Sequence, residues 1–434
     1  VNQAVKRNEA QLFIVADKKG KFGKLPNAET LLHKPALEVN VLNAMAQALI
    51  EDGSAVTDGV DGLDELKKSL ADYAPEKVAA ATGVPAEQIK AAAKALAGAN
   101  KSAILLAYGL PYTAQSKEIA VAAANLAILS GNVDKEGSNL YLCGEKANSQ
   151  GAIDLGVIPA GSGQGAQQML DAAAAGSLSA LYVVGEDMVT SYPDREKVEK
   201  ALDGAGFVVA QDLFLSPTAQ KADVVLPAAS FAEKDGTFTN AERRIQRVHP
   251  GITSPGEAKT DYAIFELLAN KLGAGLSYTG PAAVFAALAN EVDAYKGVEF
   301  NAIGAQGVVW GGEELKAATK KVVPVKGAAA VDGKFVLLTG SALYHSGTVS
   351  THAKGPVAVV PEAYVEFGSE DATLLQVAYA AMITIKANGA EVQLKAKVDK
   401  RLPQGVVFAP YHFAEAGLNK LYKGEAAIAV EVSK

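Results

Sequence analysis

Short apolar runs punctuated by polar turns recur along the first two-thirds of the chain, each with the length of a strand. Residues 12–16 (LFIVA), 102–108 (SAILLAY), 180–184 (ALYVV), 207–210 (FVVA) and 223–226 (DVVL) are of this kind. Runs without alternation read as parallel strands covered on both faces. Helical periodicity fills the gaps between them. Residues 39–51 place Val39, Leu42, Ala46, Leu49 and Ile50 on one face, and 117–130 form a long apolar helix that stops at Gly131-Asn132 in a left-handed turn. Residues 61–96 hold three short helices, broken near Pro75 and at Gly83-Val84-Pro85, where Pro85 opens the third. Further helices are predicted at 194–202, 259–272 and 281–292, and 1–7 reads as the tail of a helix feeding the first strand. Strand, helix, strand, turn and strand across 180–226 make a right-handed crossover unit with a parallel sheet.

The texture changes at Phe335. Residues 335–339, 363–367, 382–386, 391–398 and 406–408 alternate or run apolar, with turns at Asn388-Gly389 and Pro403-Gln404-Gly405. Asn-Gly between two such runs is the strongest short-range hairpin signal. The pattern predicts an α/β region over 1–295, a linker of little pattern over 296–334, and an all-β module over 335–434.

Composition narrows the function classes. The chain has 434 residues, 49% hydrophobic and 21% charged, which is globular and large enough for two or three domains. A net charge of −7 without a basic block argues against nucleic acid. Cys143, the single cysteine, excludes a disulfide framework and a thiolate-held iron–sulfur cluster within this stretch. No apolar run approaches the ~20 residues that span a bilayer, and no signal peptide opens the chain. The default is a soluble protein of a reducing compartment. Lacking an initiator Met and starting inside a helix, the chain reads as a fragment with residues missing upstream.

Candidate chemistry lies in the turns, because ligands of open α/β sheets sit at the carboxyl ends of strands. These turns are Asp17-Lys18-Lys19-Gly20, Gly185-Glu186-Asp187, Gln211-Asp212 and 233–236. Residues 236–240, followed by Glu242-Arg243-Arg244, gather an amide, hydroxyls and two guanidiniums, a mixture suited to a nucleotide diphosphate. The same residues also read as a charged surface loop and helix start. In the loop 142–156, Gly144 and Gly151 let backbone approach a ligand, and Asn148 and Gln150 offer amides, but on residue type alone it reads first as an ordinary glycine-containing crossover loop. His345, His352 and His412 lack metal-ligand spacing, and neither a nucleophile elbow nor a phosphate-loop lysine motif occurs.

The stretch QDLFLSPTAQKADVVLPAASFAEKDGTFTNAERRIQ, residues 211–246, resembles the signature of the molybdopterin oxidoreductase superfamily. That superfamily includes formate dehydrogenases, nitrate reductases and the large G-type component of NADH–quinone oxidoreductase (complex I). The resemblance implies Rossmann-like parallel layers of the formate dehydrogenase/DMSO reductase kind. A six-stranded double-psi barrel, aspartate decarboxylase-like, would follow and close over a dinucleotide. It also implies a candidate vestigial molybdopterin dinucleotide pocket. Its residues would be Gly144, Asn148, Gln150 and Gly151; Gly185, Glu186 and Asp187; Gln211 and Asp212; Asn240 and Arg243; and His345, Ser346, Thr348 and His412 of the barrel loops. It places no catalytic residue and no metal ligand here, since the metal-ligating Cys or selenocysteine and the electron-relay cysteines belong upstream.

Two readings follow. In the first, the chain is the carboxyl-terminal part of that large iron–sulfur subunit of NADH–quinone oxidoreductase, a scaffold of the peripheral electron-transfer arm. It would carry no molybdenum and no cofactor in this stretch, with iron–sulfur clusters upstream. It would be inactive alone, cytoplasmic, and membrane-associated through the other subunits of a respiratory complex without inserting. In the second, it is part of a formate dehydrogenase-type enzyme that binds molybdopterin guanine dinucleotide around molybdenum or tungsten. Lys18-Lys19 in place of an arginine turn and Tyr379-Ala380-Ala381 in place of a Gly-Asp turn favour the scaffold. Thr239-Asn240 and Arg243-Arg244 favour a working pocket. LYHSGTVST, residues 343–351, is more similar to the complex I subunit, so the expectation is the scaffold with an empty cleft.

Overall fold

The computed structural model describes residues 1–107, 115–144, 146–157, 164–310, 320–345 and 347–434. The run 102–108 is therefore covered as far as Ala107, and position 108 lies outside. Two compact units form, one from 1–143 with 318–434, the other from 144–317.

In the first unit the strand Leu12–Ala16 pairs in parallel with Ala28–Leu32, and Ala103–Leu106 with Asn139–Leu142. Glu38–Glu51 is the central helix, packed on Ala86–Gly98 and Ser116–Leu129. Alanines on these faces let the helices come close, and Leu31, Leu49, Leu66, Ile89 and Leu129 fill the core between them. Gly83 (φ +83°) and Gly131 (φ +69°) end two helices in the left-handed conformation that their position requires. Three asparagines interrupt the apolar helix faces for a reason visible only in three dimensions. Asn40 and Asn43 donate to the carbonyls of Ala328 and Val325, and Asn125 exchanges two bonds of 2.7 and 3.0 Å with Val323. They satisfy an extended segment whose backbone lacks a sheet neighbour there, so that segment carries no periodic pattern of its own.

The second unit holds a three-stranded parallel sheet, Leu181–Val184, Val208–Asp212 and Val224–Pro227, in that order. Ala166–Ala174 and Arg195–Gly204 pack together beside it, and Leu170, Leu181, Val183, Val198 and Val208 form its core. Residues 242–244 do not start a helix. They form the turn of an antiparallel hairpin between Gly236–Thr239 and Arg244–Val248. Arg243 sits at φ +62°, and the Asn240 side chain accepts from the amides of Glu242 and Arg244, which closes a turn and stops helix growth. The loop 142–156 likewise contains a short helix, Ser149–Asp154. The stretch 296–334 contributes Val308–Val309 beside the hairpin and Lys320–Lys321 in parallel with Val60–Asp61.

From Phe335 onward six strands close into a barrel. Around it run Phe335–Gly340, Val406–Pro410, Tyr364–Phe367, Ala390–Val398, Met382–Ala387 and Ile428–Ser433. Two neighbouring pairs are parallel and the rest antiparallel. Phe367, Val365, Ile383, Ile385 and Val407 fill its interior. The Asn388-Gly389 turn has both residues at positive φ, as a tight two-residue hairpin demands. The sixth strand, Ile428–Ser433, and the strands Ala28–Leu32 and Asn139–Leu142 were not among those the sequence pattern picked out. The predicted fold class stands: parallel α/β layers followed by a β-barrel.

Candidate functional site

In the unit 144–317, Gly185 (φ +63°) turns the chain at the carboxyl end of its strand and delivers Glu186 and Asp187. Glu186 accepts from the Ser191 hydroxyl. Burial pushes its carboxyl above the usual range, partly offset by that bond and by Lys146; Asp187 and Asp212 add to the rise. These acids therefore share one neighbourhood. Asp187 is buried and accepts from the amide and hydroxyl of Thr218 at 3.1 and 2.7 Å. Asp212 accepts from the Leu213 amide and the Ser216 hydroxyl. Gln211, fully buried, donates to Asp261 at 2.8 Å and accepts from the Tyr182 hydroxyl.

The glycine loop is anchored inward. Asn148 accepts from the Thr239 amide at 2.8 Å, and Gln150 donates to Asp154 at 2.7 Å. The Tyr295 hydroxyl donates to Asp154 at 3.1 Å and meets the Thr239 hydroxyl at 2.6 Å, so the latter donates to it. Burial pushes the Tyr295 phenol up to about 12. A Cβ at Gly151 would stand 2.2 Å from Asn148 Oδ1, so a larger residue there would displace the Asn148 side chain. Asn240 is committed to its own turn, whereas the Arg243 guanidinium lies 5.6 Å from the Trp310 ring with no carboxylate partner among the described residues. Gly144 opens the unit.

In the other unit the barrel loops bring His345 and His412 together, ring centroids 4.7 Å apart. Both are buried, at 0% and 1% exposure. His345 Nδ1 lies 2.8 Å from Ser350 Oγ. His345 Nε2 and both nitrogens of His412 have no hydrogen-bond partner among the described residues. Burial lowers both imidazoles, His412 to about 4 with His345 contributing, while Glu415 pulls His345 back up. Thr348 begins a 3₁₀ turn, Thr348–His352, and Ser346 lies outside the described residues. Lys18, in the turn after the strand Leu12–Ala16, is held by Glu366 at 3.2 Å and sits 4.1 Å from the Phe408 ring centre.

One cluster escaped the sequence reading. Asp17 and Glu38 both have carboxyls pushed up by burial and held back by the His33 imidazole, whose Nε2 has no partner among the described residues. The signal was incomplete because His33 and Glu38 follow Ala28–Leu32, a strand interrupted by Glu29 and Thr30. No three His, Cys, Asp or Glu among the described residues stand close enough to hold a metal, and no described helix is long and apolar enough to cross a membrane.

Residues 2–271 match the family described as "Molybdopterin oxidoreductase", and 335–429 match the "Molydopterin dinucleotide binding domain". The chain belongs to the molybdopterin oxidoreductase family. It is 31% identical over 440 residues to the F420-dependent formate dehydrogenase subunit alpha of Methanocaldococcus jannaschii, covering 89% of this chain and 65% of the relative. The NADPH-Fe(3+) oxidoreductase subunit alpha of Geobacter sulfurreducens is 30% identical over 99% of this chain and 53% of its own length. A G-type NADH-quinone oxidoreductase component of Rhizobium meliloti is 32% identical over 71% of this chain and 39% of its own. The chain thus spans less than two-thirds of these relatives. Acetylene hydratase from Pelobacter acetylenicus shares the fold, with a TM-score of 0.78 over 100% of this chain and 75% of that one, at 15% identity.

The family's dinucleotide can be tested against these residues. In the barrel loops, the three imidazole nitrogens of His345 and His412 that lack hydrogen-bond partners among the described residues fit a ligand rich in donors and acceptors. With the dinucleotide-binding match over 335–429, this favours a cofactor over the cofactor-free expectation.

Proposed function

We propose that this chain is the dinucleotide-holding part of a formate dehydrogenase-type molybdenum or tungsten oxidoreductase subunit, and that it binds molybdopterin guanine dinucleotide. The observation that carries this reading is the His345–His412 pair, whose ring nitrogens are buried and lack partners among the described residues, in the loops that the resemblance sets against the cofactor. A buried polar group left unsatisfied costs about 1–3 kcal/mol, so a fold retains such groups where a ligand supplies the missing bonds. The F420-dependent formate dehydrogenase relative supports the same reading. When bound, the cofactor supplies the redox-active metal centre. The chain's own contribution is to bind and orient. The two histidines of the barrel loops exchange neutral hydrogen bonds with the ligand.

A second reading is the complex I scaffold. Lys18 is occupied by Glu366 and Phe408, and Asn148 and Gln150 are turned inward, which removes three groups from the service of a ligand. Partner subunits belong to both readings. Formate-dependent dye reduction by the full-length protein with its partner subunits decides between them. The dehydrogenase reading expects turnover that His412→Ala lowers at least about tenfold, in line with two lost bonds at ~1 kcal/mol each. Background rates in the wild type would favour the scaffold.

A further inference from the structure

The bonds around Ser350 fix where the proton of His345 sits. A serine hydroxyl has one proton to donate and two lone pairs to accept with. Ser350 Oγ lies 2.5 Å from the Gly347 carbonyl, 3.1 Å from the Gly347 amide and 2.8 Å from His345 Nδ1. The carbonyl can only accept, so the hydroxyl proton must point at it; two bare oxygens at that distance would repel. The amide can only donate and takes one lone pair. The remaining lone pair faces His345 Nδ1, which must therefore carry the hydrogen. Neutral imidazole has a single N–H, so Nε2 of His345 is a bare acceptor. It is buried, and it has no donor among the described residues.

We propose that Ser350 is a positioning residue that locks His345 as the Nδ1–H tautomer, and that the buried Nε2 selects a ligand group that donates a hydrogen bond, an amino or ring N–H or a hydroxyl. A phosphate oxygen, which only accepts, is the wrong partner for this nitrogen. The ligand half of the inference rests on the cofactor reading above; the tautomer half stands without it. His412 carries one donor and one acceptor nitrogen, both unpartnered among the described residues, so the pair offers a mixed edge of the kind an aminated heterocycle complements. The two rings pack against each other with centroids 4.7 Å apart and a tilt of 35°.

Selective ¹⁵N labelling of the five histidines of this chain reads the tautomer directly. The wild type should show His345 protonated at Nδ1. Ser350→Ala should release it to a tautomer mixture, and Ser350→Thr, which keeps the hydroxyl, should restore it. An Nε2–H signal for His345 in the wild type overturns the assignment without any variant. For the ligand half, molybdenum and guanosine monophosphate content are measured in the full-length protein and both variants. Ser350→Ala should lower occupancy about fivefold, the worth of one hydrogen bond, with Ser350→Thr near wild type. Full occupancy in Ser350→Ala overturns the selective role of Nε2. A wild type without cofactor overturns the proposed function and the ligand half together, and leaves the tautomer decided by its own spectrum.

Discussion

At the scale of single residues, the buried histidines make stability depend on pH. Unfolded, His412 takes up a proton near 6.5; folded, burial and the neighbouring His345 delay this to about 4. Among the described residues, the titratable groups facing the pair are Glu415 on His345 and Tyr411 packed edge-on to His412, and the Phe413 ring packs on both. Between the two values the unfolded chain binds more protons, so the stabilisation is complete above pH 6.5 and fades as the pH falls toward 4. The loss amounts to a few kcal/mol at most. Urea midpoints at pH 7 and 4.5 should therefore differ less in His412→Gln than in the wild type; the same drop in both would show that His412 is not responsible. A second residue concerns the altered barrel turn. Ala380 is exposed at φ +63°, so Tyr379-Ala380-Ala381 keeps the left-handed bend that a glycine would serve, and the Ala380 amide still reaches the Ala396 carbonyl at 2.8 Å. Relief of the strain outweighs the glycine's extra unfolded entropy, and Ala380→Gly should stabilise by about 0.5–1 kcal/mol. Chemical denaturation checks it, and a lowered midpoint would refute it. Residue type alone makes the positions of the site candidates, and their roles depend on the fold. Asn148 and Gln150 have amides suited to a ligand, but the same amides serve Thr239 and Asp154, and only the fold reveals that use.

At the scale of elements, the hairpin Gly236–Thr239 and Arg244–Val248 is held to the glycine loop by Asn148. Gly151→Ala would drive a methyl into Asn148 Oδ1, displace that side chain and free the Thr239 amide. The expected cost is about 1–3 kcal/mol. Hydrogen exchange at Thr239 should quicken markedly, and unchanged protection there would contradict the anchoring role. Elements with strong local patterns were readable. Leu12–Ala16 and Glu38–Glu51 lie where periodicity places them, to within a residue. Ala28–Leu32 and Asn139–Leu142 were not, because each is short, begins or is interrupted by polar residues, and becomes a strand through a distant neighbour. Residues 242–244 read as a helix start in sequence because helix-start and tight-turn residues overlap, and the side chain of Asn240 decides for the turn.

At the scale of the whole molecule, the succession of parallel strands and a terminal barrel was visible in the change of texture at Phe335. The ties that span the sequence were not. Asn125 and Val323 are 198 residues apart yet exchange two bonds, and no local window could announce this. The same holds for His345 and His412, which are ordinary histidines in sequence and, in space, a stacked pair short of partners among the described residues. That pair favours a ligand-holding barrel over an emptied scaffold. Metal and nucleotide content of the natively produced full-length protein tests this most directly. The account predicts molybdenum or tungsten near stoichiometry, with guanosine monophosphate released on acid hydrolysis. Metal and guanine nucleotide both at background in freshly isolated, folded protein would contradict it.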